Sequence, residues 1–360
     1  MGLPYIYIRV IYLWMGGKSM ENKYYAEKEL FNPVSLCDSN GELNADAIGW
    51  SRHPLHKCNL KGRWLRKKKW NYWCIISDKY LFSITMSNVD YAGLAFAYFY
   101  NFTTKEFIEK TIMVPFGIGC YMPDNVREDI VFKNKNINLS FIEEKNMTKI
   151  HVDIPSFGNR EMCADISIIH PEKHETMNAV IPWNKKTFQY TSKQNCLPSY
   201  GIVTIGDEKC LFEEKKTYAV LDFGRGIWPR STFWNWATCS ADVDGKTIGF
   251  NLGGTWTEGT GMTENAFLYD NRIVKLSEDV QFDYDKSNLM KKWDIKTKVS
   301  DRINIIFEPE YERIAVSSML FVKSDVHQMI GRFSGEIKTD DGIVKIEKAP
   351  GCAEEHTALW

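Results

Sequence analysis

One stretch of the chain gathers groups that do chemistry. Leu221-Asp222-Phe223-Gly224-Arg225-Gly226-Ile227-Trp228-Pro229-Arg230-Ser231-Thr232-Phe233-Trp234-Asn235-Trp236 sets an acid, two arginines and three tryptophans around a Gly/Pro turn. Indole surface desolvates a carboxyl and raises its pKa, whereas a neighbouring guanidinium lowers it. Asp222 kept protonated in such a pocket is a proton donor to an alkene or a leaving group. Arg225 would tune it, and the faces of Trp228, Trp234 and Trp236 would stabilise a developing carbocation. The alternative is an Asp–Arg pair bracing a loop over a tryptophan cluster, with no chemistry.

Further polar groups are candidates for the same site. His174 and Glu264 are secondary catalytic candidates, and Lys193, Asn195, Asn235 and His327 are candidate ligand contacts beside Arg225 and the three tryptophans. A carbohydrate site is a third reading, because indole faces stack on sugars. It needs two carboxylates about 5–10 Å apart, for which Asp222 and Glu264 are the pair.

Standard signatures are missing. Gly259-Thr260-Gly261-Met262-Thr263-Glu264 lacks the last glycine of a dinucleotide fingerprint, and neither a phosphate-binding loop nor a G-x-S-x-G elbow occurs. His174-Glu175-Thr176-Met177-Asn178 starts like a zinc-protease helix but has Asn where the second His must stand. No cofactor and no metal are therefore expected. The nine cysteines are widely and irregularly spaced with no C-x-x-C, which reads as small buried thiols in a reducing cytoplasm.

Composition bounds the class. The 360 residues carry 45 Lys+Arg against 46 Asp+Glu, too balanced for a dedicated nucleic-acid binder. The basic run Arg63-Trp64-Leu65-Arg66-Lys67-Lys68-Lys69-Trp70 is expected to be a solvated hairpin tip, with phosphate or anionic lipid contact as the rival reading. Aromatics reach 14%, which suits strands with thick cores and also an apolar ligand cavity. The apolar run near the start is too short for a membrane span, so no stable span is expected and residues 1–20 read as a mis-called start or loose extension. Oligomeric state is not legible.

The elements that position these residues read as strands. Asp78-Lys79 separates 72–77 from 80–86, a polar segment separates 138–142 from 148–154, and Asp244-Gly245, Asp270-Asn271 and Asp341-Gly342 punctuate three more pairs. Short strands with regular turns imply an all-β sandwich or barrel. Cys196-Leu197-Pro198-Ser199-Tyr200-Gly201 is the expected boundary, giving lobes at 21–198 and 199–360.

The sequence is identified as resembling the family called domain of unknown function 2804. The matching motifs are Gly49-Trp50-Ser51-Arg52-His53-Pro54-Leu55-His56, Lys69-Trp70-Asn71-Tyr72-Trp73, Asp90-Tyr91-Ala92-Gly93, His174-Glu175-Thr176-Met177-Asn178, Thr191-Ser192-Lys193-Gln194-Asn195, the 222–236 stretch and Gly261-Met262-Thr263-Glu264-Asn265-Ala266. A more distant similarity, through Asp222-x-x-x-Gly226 and Phe233-Trp234-Asn235-Trp236, is to the hydroxyneurosporene-synthase-like superfamily of carotenoid hydratases, tocopherol cyclase and lipocalin-like Diels–Alderases. Gly62-Arg63-Trp64 also resembles the lipocalin G-x-W pattern. The resemblance implies two lipocalin-like β-barrel lobes, a hydrophobic small-molecule ligand and Asp222 as proton donor. The hydratases' H-x-W motif, which would fall near Lys193, is not matched. Two functions stand: a binder of a lipid or isoprenoid, or a cofactor-independent hydratase, cyclase or isomerase acting on one.

Overall fold

The computed structural model describes residues 23–319 and 322–360; the expected extension at 1–20 lies outside them. The strands in chain order are β1 (Val34–Ser35), β2 (Trp50–Ser51), β3 (His56–Lys57), β4 (Lys67–Ser77), β5 (Tyr80–Asn88), β6 (Ala92–Asn101), β7 (Phe107–Pro115), β8 (Ile130–Asn134), β9 (Ile137–Glu144), β10 (Met147–Phe157), β11 (Arg160–Ile169), β12 (Met177–Asn184), β13 (Thr187–Ile205), β14 (Glu208–Phe212) and β15 (Thr217–Ile227). They continue as β16 (Ser231–Val243), β17 (Lys246–Gly254), β18 (Ala266–Tyr269), β19 (Arg272–Lys275), β20 (Val280–Asp283), β21 (Trp293–Thr297), β22 (Ile303–Met319), β23 (Val322–Thr339) and β24 (Gly342–Leu359).

Two curled antiparallel sheets form two lipocalin-like lobes, as the sequence implied. The first runs β7-β6-β5-β4-β15-β13-β11-β10-β9-β8, with β12 and β14 also on β13 and β2 on β12; the second runs β19-β18-β17-β16-β24-β23-β22-β21-β20. The expected hairpins form: 72–77 and 80–86 lie in β4 and β5, and each of the other turn signals joins a strand pair.

Alternation decides which side chains fill each barrel. In β10, Thr148, Ile150, Val152 and Ile154 are buried while Lys149, His151 and Asp153 face outward. The first interior packs Trp73, Phe82, Phe99, Phe141, Tyr190 and Phe223; the second packs Phe250, Trp293, Phe307 and Phe333. β4, β13 and β15 lose the alternation because both of their faces are covered, one by the barrel core and one by the second lobe.

The expected boundary near 199 is corrected. Ser199 pairs with Ile168 inside β13, and β15 bonds β13 on one side and β4 on the other. The chain leaves the first sheet at Ile227 and enters the second at Ser231. The glycine signal marks a close approach between strands instead: a Cβ on Gly201, at φ +154, would sit 2.1 Å from the Asp165 carbonyl oxygen.

Candidate functional site

The site lies where the two sheets face each other. On β15, Leu221 and Phe223 belong to the first barrel's core. Period-two alternation turns Asp222, Gly224 and Gly226 the other way, toward the second lobe. Across the sheet Asp222 is level with Lys193 of β13 and Tyr72 of β4, and Gly224 with Thr191 and Trp70. Gly224 has no side chain for a packing reason, since its Cβ would sit 2.2 Å from the Trp70 indole.

Trp228, in the linker between the sheets, is the hub of a tryptophan cluster. Its ring centroid lies 5.8 Å from Trp70, 5.0 Å from Trp183, 5.3 Å from Trp234, 5.1 Å from Trp256 and 6.3 Å from Trp360. Trp228 and Trp256 are buried, while Trp70, Trp183, Trp234 and Trp360 keep part of their surface exposed. Offset and tilted pairs of this kind contribute about 0.5–1.5 kcal/mol each beyond burial.

Beside the cluster lies an ionic trio drawn from both lobes, with Lys193 and Glu264 buried and Asp222 partly exposed. The Lys193 ammonium is 2.8 Å from Asp222 Oδ2 and 3.0 Å from Glu264 Oε2, and 5.3 Å from the Trp236 ring centroid. Each carboxylate spends its other oxygen on an indole. Trp70 Nε1–H donates to Asp222 Oδ1 at 3.2 Å, and Trp256 Nε1–H donates to Glu264 Oε1 at 2.8 Å. Burial alone would lower the Lys193 pKa, but Asp222 and then Glu264 outweigh it and hold the group above its ordinary value. Glu264 fits because residue 253 is glycine, whose Cβ would meet Oε1 at 2.0 Å.

A third carboxylate anchors the far side of the cluster. Glu354 accepts from Trp234 Nε1 at 3.1 Å and from Gln328 Nε2 at 3.0 Å, and His356 Nδ1 lies 3.4 Å away. Gln328 in turn accepts from the Tyr98 hydroxyl of the first lobe at 2.5 Å. Burial pushes the Glu354 pKa up, yet the His356, Trp234 and Arg313 contacts prevail and hold it below the usual range.

The structure brings together Asp222, Glu264, Lys193, Trp228, Trp234 and Trp236 and separates the other candidates. Arg225 does not tune Asp222. Three residues on along the strand, it points into the first lobe, fully buried, and donates to the carbonyls of Pro123, Trp70 and Gly224 and to Asn71 Oδ1. Burial pushes its pKa down to about 9. His174 is a brace, its ring bonded to Asn271 and to the Asn195 carbonyl. Asn195 ties the lobes through Thr238 Oγ1 at 2.8 Å and the Phe250 carbonyl at 3.0 Å. His327 pairs with Glu312 and Asp325 instead of any member of the trio. Asn235 bonds the Tyr284 hydroxyl at 3.0 Å.

The basic run is a solvated turn only in its first half, where Trp64 and Leu65 are exposed; Lys67 to Trp70 open β4, with Lys68 buried over the rings of Tyr91 and Trp360. Trp64 of the G-x-W pattern is exposed and stacks on Phe116. Sequence reasoning missed Trp70, Trp183, Trp256, Trp360 and Gln189, whose Oε1 accepts from Trp228 Nε1 at 2.8 Å. The only available signal was the total of 12 tryptophans, which exceeds what the 222–236 stretch accounts for.

Clefts of about 640 and 290 Å³ lie on the first lobe, and neither is lined by a member of the trio or of the tryptophan cluster. All nine cysteines are free and eight are buried, as expected. No helix among the described residues is long and apolar enough to cross a membrane.

Among solved structures the chain is similar to CghA with Sch210972, at 9% identity and a TM-score of 0.53, over 82% of this chain and 88% of that one. Kievitone hydratase from Nectria haematococca aligns at 11% identity and a TM-score of 0.45, over 92% and 98% of the two chains. A putative AttH from Nitrosomonas europaea aligns at 7% identity and a TM-score of 0.41, over 81% and 92%. At these identities the likeness to CghA concerns the fold alone. No curated protein matches the chain. The family described as domain of unknown function 2804 matches residues 27–360, and the chain belongs to that family.

Proposed function

We propose that the chain binds a hydrophobic small molecule, of lipid or isoprenoid character, against the tryptophan cluster between its lobes. One observation carries this reading: five indoles packed around that of Trp228, four of them partly exposed, beside the largely buried Lys193–Asp222–Glu264 trio. Indole surface supplies apolar contact, and the few charged groups beside it orient a polar end of the ligand. Lys193 and Glu264 are buried, so a ligand reaches the trio by parting the rings above it. CghA, whose fold is similar, was solved with Sch210972, in keeping with this reading. Nine free thiols agree with a cytoplasmic setting.

The second reading is acid catalysis by the same trio: hydration, cyclisation or isomerisation without a cofactor. It is favoured by the buried, charged Lys193 held between two carboxylates, an arrangement that an apolar binding wall does not need. Sugar hydrolysis is disfavoured, because one ammonium bridges both carboxylates and leaves no gap for substrate.

Mass spectrometry of small molecules released from purified, denatured protein tests the first reading. A stoichiometric apolar compound supports it, and none from a well-folded preparation counts against constitutive carriage. Incubating that compound with wild type and Asp222→Asn separates carrier from catalyst, since only a catalyst makes a product that the variant fails to make.

A further inference from the structure

The outer face of the first lobe carries a square of ligating side chains that the interlobe site does not use. His151 and Asp153 lie two apart on β10, Cys163 and Asp165 two apart on β11. The antiparallel register sets His151 opposite Asp165 and Asp153 opposite Cys163. All four side chains therefore leave the sheet on the same side, within reach of one another. The sequence hides this square, because its halves are two i, i+2 pairs twelve residues apart instead of one compact motif.

The contacts are those of a ligand set with its own support. His151 Nδ1 lies 2.7 Å from Asp165 Oδ1, and Cys163 Sγ lies 3.7 Å from Asp165 Oδ2. One ligand atom from each of His151, Cys163 and Asp165 falls within 4.8 Å of the others. On the opposite side of the ring, Nε2 lies 2.8 Å from Asp153 Oδ2, and Asn138 Nδ2 donates to that same oxygen at 3.2 Å. A carboxylate bonded to the remote nitrogen of an imidazole fixes the tautomer and orientation of a metal-ligating histidine.

We propose that His151 Nδ1, Cys163 Sγ and an Asp165 oxygen bind a divalent cation of the zinc class, with Asp153 positioning the imidazole and water completing a tetrahedron. Thiolate, imidazole and carboxylate together suit zinc or cobalt better than magnesium or calcium. Metal–ligand bonds of about 2.0–2.3 Å place the ligand atoms about 3.3–3.8 Å apart, so the side chains shift: His151 Nδ1 and Asp165 Oδ1, 2.7 Å apart, spread by about 0.6 Å, and Cys163 Sγ closes on Nδ1 by up to about 1 Å. They are free to do so, since His151 and Cys163 are partly exposed and Asp165 is exposed. The cation takes the place of the proton shared by Nδ1 and Asp165, and the Cys163 thiol proton leaves to solvent as the sulfur–metal bond forms.

Cobalt(II) chloride titrated into the intact protein under reducing conditions tests the assignment. Wild type is expected to show a near-ultraviolet thiolate-to-cobalt charge-transfer band that saturates at one equivalent and is erased by added zinc. The other eight cysteines are buried, so the band reports on Cys163. Cys163→Ser removes it, His151→Ala removes saturable binding, and Asp153→Asn weakens binding by about 10–100-fold. These side chains are at least partly exposed, and unchanged circular dichroism checks that each variant folds. No band in folded wild type at millimolar cobalt, a band that survives in Cys163→Ser, or affinity unchanged in His151→Ala would each overturn the proposal.

Discussion

Replacing Lys193 by Met removes the charge at the centre of the trio and keeps most of the side chain's volume. Two carboxylates, each formerly within 3.0 Å of the ammonium, are left facing one another. That geometry caps their oxygen–oxygen separation at about 6 Å, and at an effective dielectric constant of about 20 the repulsion is about 3 kcal/mol. Breaking a buried ion pair by removing one partner costs about 3–5 kcal/mol in general, which agrees. The sign of the pH dependence follows. Lys193 is held above its ordinary pKa, so wild type keeps the ammonium throughout pH 5–8. In Lys193→Met, one carboxyl relieves the repulsion by taking up a proton that the unfolded chain does not bind. The variant's deficit is therefore largest near pH 8 and shrinks toward pH 5. Urea unfolding of both proteins at the two pH values is the assay, with a deficit of about 3 kcal/mol at pH 8 and under about half of that at pH 5. Equal deficits at both pH values, or a variant as stable as wild type at pH 8, would refute the electrostatic account of the trio.

Four further outcomes are expected. Trp228→Ala removes the hub of the cluster and should cost about 3–5 kcal/mol by chemical unfolding, with a red shift of the native tryptophan emission. Gly253→Ala drives a methyl group into Glu264 Oε1, so it should lose about 1–3 kcal/mol and weaken ligand retention, whereas Gly245→Ala, strained by its φ of +79 but uncrowded, should lose about 1 kcal/mol and leave retention unchanged. Arg225→Lys cannot reproduce the four guanidinium bonds and should lose about 2–4 kcal/mol, while folded molecules keep ligand affinity within about twofold. Glu354→Gln tests the acid limb: a carboxyl held below its usual pKa stabilises the fold above that usual value and loses the effect as pH falls through the folded one. Wild type should therefore exceed the variant by about 1–3 kcal/mol at pH 7, with the gap closing below about pH 4.5.

The parts of this fold that were legible in the sequence are those governed by local rules. Two-residue turns such as Asp244-Gly245 and Asp270-Asn271 name their hairpins because both central residues sit at positive φ, which only a few residue types accept. The boundary was not legible, because Pro198 and Gly201 serve a strand in close contact with its neighbour and look the same in sequence as a linker. Asp222, Glu264 and Lys193 were each noticed, but their meeting depends on two sheets docking, which no local pattern encodes. Arg225 was assigned to Asp222 by sequence proximity, and a strand sends residues three apart to opposite faces. Trp70 was hidden in a run read by its charge, although alternation within β4 puts it on the same face as Tyr72.

The division of the trio between sheets bears on how the chain is made. The first sheet is complete once Ile227 has been synthesised, while Glu264, Trp256 and Trp236 belong to the part still to come. At about 5–20 residues per second, residues 228–360 take about 7–27 seconds to translate. During that interval the first lobe presents Trp70 and its apolar neighbours to the cell without their cover. Lys68, Lys193 and Asp222 share that face, and while it is open water solvates their charges. Groups that are costly to bury in the finished molecule thus keep its half-made form from sticking to itself.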